Sequence, residues 1–413
     1  MNTIRLYNED SFIKEFEAVV LSCEPAEHDK TQEIKYKIVL DRTAFFPEGG
    51  GQAADTGWLL MEADEKNTDE TACKEEEKGA SSNLVRVTVL DAQEEGNVVI
   101  HYTDVSVEAG TKVQGILNWK ERFSKMQHHS GEHIVSGLVN KHFGFNNVGF
   151  HLGSQIVTLD FNGIMTKEQL RQIEYEANEA VAANLPIVVT YPTKEELLTI
   201  AYRSKIEIEG QVRLVEVPGY DICACCAPHM HRTGQIGMIK LVNMHNYKGG
   251  VRVYMLCGFA ALADYNEKED SVRTIALSMS ANECQVVEAV GRLKKEIFQQ
   301  KGTIMELTNQ LLDYKVKAVA QGAERAVLIE DGLEGSQPRE LANKLLEKEV
   351  GMAVVFAGND ESGYRFVIGS KKQDVRPFVK EMNSALNGRG GGKPEMVQGS
   401  AACKRAEIEA YFN

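Results

Sequence analysis

Cysteine is scarce: eight in 413 residues, too few to staple a chain of this size with a disulfide framework. Long apolar runs are missing as well. No uninterrupted stretch approaches the ~20 residues that span a bilayer, so no integral membrane protein is expected. The opening MNTIRLYNEDSF lacks a basic-then-apolar signal pattern, which leads us to expect a cytoplasmic protein. Positive charge is in deficit, with 46 Lys and Arg against 60 Asp and Glu and a net charge of −14. That argues against a general nucleic-acid coat, which is normally basic, and leaves room for a local basic patch. Much of the acidity is concentrated in residues 62–83, with eight acids, three bases and almost nothing apolar to bury, a composition that predicts a solvated loop.

What is present suits a soluble protein of two or three domains: 43% hydrophobic and 26% charged residues. The pattern predicts an α+β chain in four parts. Residues 1–110 carry short β-branched runs (35–40, 83–90, 97–103) around a glycine-rich turn at 45–57, with no helices between them, which reads as a small β-barrel. Residues 111–262 mix helices (119–143, 167–185) with strands (153–161, PIVVTYPT, QVRLVEV, GQIGMIKLV). Residues 263–325 contain a proline-free, coiled-coil-like helical linker. In it Val286, Val290, Leu293, Ile297, Gln300, Ile304, Leu307, Leu311, Tyr314 and Ala318 step by alternating fours and threes. Such a seam packs on another helix, in a homodimer or in an internal hairpin. Residues 326–413 alternate strand and helix as a small α/β module that closes on a glycine-rich loop, GRGGGKPEMVQGSA.

Two pieces of the chain carry metal-ligand chemistry. His129 and His133 stand at i, i+4 on a predicted helix, so both imidazoles share one face. In DICACCAPHMHRTGQIG, Cys225 and His229 are again four apart. Two His plus Cys and His make a tetrahedral zinc set with mixed nitrogen and sulfur donors. Cys223 and Cys226 are alternative sulfur ligands, and four protein ligands would also suit a structural ion. His128 lies about 100° around the helix and is expected to face elsewhere. His231 is expected at the surface.

HHSGEH followed by CCAPHMHRTGQIG resembles the editing domain of alanyl-tRNA synthetase and its free-standing relatives, the AlaX trans-editing proteins. DRTAFFPEGGGQAADTGW at 41–58 looks like that family's glycine-rich motif, and VGFHLGSQIVTLDF at 148–161 resembles a third segment. The closing GRGGGKPEMVQGSA resembles the signature of the DHH-associated domain. With a β-rich segment at residue 1, the chain is similar to the long form of AlaX: editing module, helical linker and C-terminal domain.

The resemblance implies zinc-dependent hydrolysis of the ester that joins serine or glycine to alanine tRNA. It assigns the metal to His129, His133, Cys225 and His229. Thr43 becomes the candidate to reward the serine hydroxyl, and Gln52 a donor to the ester or the tRNA terminus. Gly49, Gly50 and Gly51 permit close backbone approach, and His151 is a candidate substrate contact. Arg389 and Lys393 are expected to meet tRNA phosphates. A tRNA-binding adaptor with a purely structural zinc is the rival expectation. It predicts tRNA binding without ester cleavage.

Overall fold

The computed structural model describes residues 2–26, 33–62, 84–153, 156–204 and 210–413; the acidic loop expected at 62–83 falls, apart from Glu62, outside them. The fold is mixed α+β, with a closed six-stranded barrel near the N-terminus and a separate C-terminal domain. The chain divides into two compact units, Met1–Val272 and Arg273–Asn413.

The barrel strands are Glu15–Pro25, Tyr36–Leu40, Gly57–Glu62, Leu84–Glu95, Val98–Thr103 and Lys112–Leu117. The first strand pairs with both the second and the sixth, which closes the ring. Alternation puts Ile38, Leu40, Leu59, Val87, Val89 and Val99 inside, all fully buried. Gly57 is required for closure, because a Cβ there would stand 2.1 Å from the Ile116 carbonyl oxygen.

The barrel feeds directly into helix α1, Trp119–Phe143, which ends on Gly144 in the left-handed conformation (φ 70°). Its apolar residues Met126, Ile134, Leu138 and Val139 pack on a four-stranded antiparallel sheet. In spatial order that sheet is Ile239–Tyr247, Gly250–Cys257, Val157–Phe161 and Asn147–Leu152. Helix α2, Lys167–Ala182, starts on a Thr166–Gln169 capping box and covers the same core with Leu170, Ile173 and Ala177. A small sheet (Val188–Thr190, Leu214–Val217, Asp221–Ala224) lies against α1. The approach depends on Gly137, where a Cβ would stand 2.3 Å from the Tyr220 carbonyl oxygen. The strand expected across GQIGMIKLV begins only at Ile239, since Thr233–Ile236 form a 3-10 turn and Gly237 takes φ 71°.

The helical stretch is two helices rather than one. Gly258–Ser278 stops where Ser280 adopts φ 48°, with Ala281 N–H bonded to Ala276 O and Ser280 N–H to Leu277 O. That Schellman closure satisfies the last carbonyls. The second helix, Val286–Ala318, leaves Leu293, Ile297, Ile304, Leu307, Leu311 and Tyr314 of its heptad positions exposed. The final domain is a five-stranded mixed sheet. Its interior strand Met352–Asn359, second in the spatial order, sends Ala353, Val355 and Ala357 to one core and Met352, Val354 and Phe356 to the other. The closing glycine run, expected as a loop, is an edge hairpin, Gly388–Lys393 with Met396–Ala401. Gly390 and Gly399 lie flat over Phe366, where Cβ atoms would approach its ring to 2.9 and 2.5 Å.

Candidate metal centre

One turn of α1 separates His129 from His133, and both imidazoles are buried to 1% exposure. The strand Asp221–Ala224 runs past this face and delivers Cys225 and His229 in the turn that follows. One donor atom from each of the four lies within 4.8 Å of all the others. Cys225 Sγ is 3.5 Å from His129 Nε2 and 3.3 Å from His229 Nε2. Metal–ligand bonds of about 2.0–2.3 Å hold tetrahedral donors about 3.3–3.7 Å apart, so the set fits an ion of that geometry.

His129 and His229 are hydrogen-bonded through their other nitrogen, and His133 Nδ1 stands at ion-pair distance from an acid. His129 Nδ1 donates to Gln52 Oε1 at 3.0 Å, an atom that can only accept. His133 Nδ1 is 3.1 Å from Asp221 Oδ2, and Arg203 grips that carboxylate at 2.7 and 2.9 Å. His229 Nδ1 meets Ser130 Oγ at 3.1 Å, and Ser130 Oγ accepts the Met230 N–H at 3.0 Å. Metal-binding histidines have this signature: the outer nitrogen fixes the tautomer and the ring plane, so Nε2 points inward.

The electrostatics match a ligand set. Burial opposes ionisation of Cys225, yet His129 and His229 hold its thiol well below the usual range. Burial likewise opposes charge on His133, but Asp221 and Cys225 outweigh it and raise the imidazole to about 10. His229 is pushed down to about 3, mainly by burial. A thiolate is therefore ready at the centre. Cys223 is different: burial raises it to about 12. His133, Asp221 and Cys223 also stand close together, but the guanidinium of Arg203 already neutralises Asp221. Cys226 is exposed and lies against the glycine hairpin, with its Sγ 3.4 Å from where a Gly50 Cβ would be. Among the three neighbouring cysteines, the geometry selects Cys225.

The glycine run forms a tight hairpin beside the cluster. Gly49 and Gln52 exchange both N–H···O bonds at 3.0 Å, and Gly50 (φ 59°) and Gly51 (φ 81°) form the exposed tip. Positive φ at both tip positions is the type I′ requirement. A Cβ on Gly51 would also strike the Phe150 ring at 2.8 Å. Gln52 is fully buried; its Nε2 has no hydrogen-bond partner among the described residues.

Four further expected residues stand outside the four-donor cluster. Thr43 is fully buried in the short strand Arg42–Thr43, which pairs with Ile4–Arg5 beside the barrel. Its Oγ1 accepts the Phe45 N–H at 3.1 Å and lies 2.8 Å from His101 Nε2. His101 Nδ1 donates to Ile38 O at 3.1 Å, so Nε2 must accept the Thr43 proton. As placed, this hydroxyl is committed to the barrel rather than to open space. His151 is exposed, whereas its neighbour Phe150 packs on His129 with ring centroids 4.8 Å apart. Strand alternation then turns His151 to the other face, away from the cluster. Arg389 and Lys393 are exposed on the edge hairpin of the second unit, where Arg389 helps line a cavity of about 770 Å³. His128 bonds back to Ser124 O, and His231 is half exposed, as expected for residues outside the ligand set.

Sequence reasoning missed Asp221, Arg203, Ser130 and Phe150. The one available signal was Asp221, an acid four residues before Cys225, since a ligand histidine needs an acceptor for its second nitrogen.

Family models match three segments. These are the tRNA synthetases class II (A) model over 3–121, the threonyl and alanyl tRNA synthetase second additional domain over 212–254, and the DHHA1 domain over 316–410. The alanyl-tRNA editing protein AlaX-L of Pyrococcus horikoshii is 23% identical, covering 98% of this chain and 96% of its own. The alanine–tRNA ligases of Ignicoccus hospitalis and Natronomonas pharaonis are 28% and 30% identical over 95% and 96% of this chain. The chain spans only 40% and 42% of those ligases. Among solved structures, the C-Ala domain of Aquifex aeolicus alanyl-tRNA synthetase matches 22% of this chain and 91% of its own, at 22% identity and a TM-score of 0.19.

Proposed function

Because the chain belongs to the alanyl-tRNA synthetase editing-domain family, we propose that it is a trans-acting, zinc-dependent deacylase of alanine tRNA mischarged with serine or glycine. The observation that carries this reading is the four-donor cluster with Gln52 bonded to one of its histidines. The need for such a site is physical. A pocket that selects alanine excludes glycine or serine by only ~1–3 kcal/mol, so fidelity requires a second, hydrolytic sieve.

His129, His133 and His229 would hold the ion through Nε2 and Cys225 through Sγ. When bound, zinc supplies Lewis acidity toward the ester and an activated water. The chain's own groups do the rest. Gln52 fixes the His129 ring with its carbonyl, and its unpartnered amide donates to the ester carbonyl oxygen. The exposed Gly50–Gly51 tip brings backbone N–H groups to the tRNA terminus. Phe150 walls the histidine face and excludes water. Thr43 contributes through the hairpin that follows it, whose approach the Thr43–His101 bond anchors. Arg389 and Lys393 meet backbone phosphates, so tRNA affinity should fall steeply with salt. We assign barrel, editing, linker and tRNA-contact roles to segments 1–110, 111–262, 263–325 and 326–413, acting in the cytoplasm.

Incubation with Ser-tRNA-Ala, Gly-tRNA-Ala and Ala-tRNA-Ala tests the reading. Serine or glycine should be released and alanine spared. Inertness toward all three by zinc-loaded protein would remove the enzymatic claim. One observation favours the rival adaptor: four protein donors, three of them on buried histidines, already saturate a tetrahedral ion. That reading requires the Gln52→Ala protein to bind tRNA as before, with no ester cleavage by either protein.

We also propose a homodimer through the exposed heptad face of Val286–Ala318, with the C-terminal domain as the alternative contact. Sedimentation at micromolar concentration should give twice the 45.8 kDa chain mass. Ile304→Glu with Leu307→Glu should return it to one. A wild-type monomer at that concentration counts against the seam.

A further inference from the structure

The glycine hairpin is fastened to α1 by a ladder of contacts that runs in order along both pieces. The Asn118 N–H bonds to Thr56 O at 2.7 Å, and Thr56 Oγ1 donates to Glu121 Oε2 at 2.8 Å. Arg122 pairs with Asp55 and bonds to Ala44 O at 3.2 Å. Lys125 Nζ donates to Ala54 O at 2.6 Å, and His129 meets Gln52 at 3.0 Å. On the helix side the positions ascend (118, 121, 122, 125, 129) along one face; on the other side they descend from 56 to 52. That face continues into His133. The register of this ladder decides whether Gln52 reaches the histidine.

At its centre, Arg122 and Asp55 are each 1% exposed. Arg122 Nε and Nη2 and Asp55 Oδ1 have no hydrogen-bond partner among the described residues. Asp55 Oδ2 also accepts the Phe46 N–H at 2.8 Å, tying down the other limb of the loop. An ion pair this dry and this incompletely bonded is a poor source of net stability. Its evident output is register. We infer that Asp55 and Arg122 are positioning residues, which set Gln52 against His129 and act on the ester only through that contact. The inference rests on the deacylase reading for its kinetic arm and on geometry alone for its spectroscopic arm.

Asp55→Asn keeps the shape and removes the charge. Its kcat for the seryl substrate should fall roughly 10- to 100-fold, the range for removing a partner behind a metal-binding histidine, with KM little changed. Combined with Gln52→Ala, it should cost no more than Gln52→Ala alone, because both act through one contact. The ring N–H proton of His129, sheltered by Gln52, should lose its slow exchange in the nuclear magnetic resonance spectrum. Lys125→Ala, at the ladder's edge, should give the same pattern several-fold weaker and serves if Asp55→Asn does not fold. Additive losses, a KM effect alone, or an unchanged His129 proton in the folded variant would overturn the inference. If wild type lacks deacylase activity, the proton signal still decides it.

Discussion

Cys225→Ala should leave the protein folded but unable to retain its ion through dialysis, with seryl-tRNA deacylation down on the order of a thousandfold, about 4 kcal/mol in the transition state. The reason lies in the charge balance of the cluster. Cys225 is the only anionic donor among the four, and His129 and His229 hold its thiol far below the ordinary range. Without it, a divalent ion would meet three neutral imidazoles in a buried pocket with nothing to offset its charge. A chelator should reproduce the loss in wild type, and added zinc should reverse it. Asp221→Asn provides the graded comparison: the ligands remain and only the anchor of His133 weakens, so metal affinity should drop about 10- to 100-fold. Metal content per chain and initial deacylation rate are the two measurements. A Cys225→Ala protein that keeps one ion and full activity would show that another sulfur, Cys223 or Cys226, holds the metal.

How far the sequence led to this centre depends on the range of each interaction. The spacing of His129 and His133 is local, so helical period alone placed both rings on one face. The Cys225–His229 pair was equally local, but its meeting with α1 was not. That contact needs Gly137, whose missing Cβ lets Tyr220 approach the helix, and nothing in one glycine announces its neighbour. The strands at 36–40 and 98–103, and the 84–90 part of Leu84–Glu95, were legible from β-branched runs. Glu15–Pro25 and Lys112–Leu117 were not, because charged and small residues dilute their alternation. The glycine-rich close of the chain was misread as a loop for a related reason. Glycine signals freedom in sequence, whereas here it gives flatness against Phe366. Thr43 and His151 show the same limit at the level of single side chains. A motif fixes where the backbone passes; which way the hydroxyl or the ring turns is settled by distant partners such as His101.

His101 leads to the second large effect, a loss of barrel stability in mild acid. Its ring is fully buried beside Phe45, and burial, only partly offset by the bond to Ile38 O, lowers it to about 4. The unfolded imidazole titrates near 6.5. Above that pH both states are neutral and nothing is lost. Between about 6.5 and 4 the unfolded chain binds a proton that the folded barrel refuses, so stability must fall as pH falls. The cost grows to roughly 2 kcal/mol by pH 5 and levels off near 3 kcal/mol below pH 4, where both states are protonated. His101→Gln removes the titration while keeping one donor for Ile38 O and one acceptor for the Thr43 hydroxyl. Urea unfolding followed by fluorescence suits the test, since both tryptophans, Trp58 and Trp119, lie in the unit that contains the barrel. Wild type should lose much more stability than His101→Gln between pH 7 and pH 5, the difference amounting to the 2 kcal/mol above. Equal losses in the two proteins would mean that His101 gains its proton inside the folded barrel as readily as in water. The bond from Thr43 to Nε2 would then be broken at neutral-to-acid pH, and the anchor assigned here to the start of the glycine hairpin would go with it.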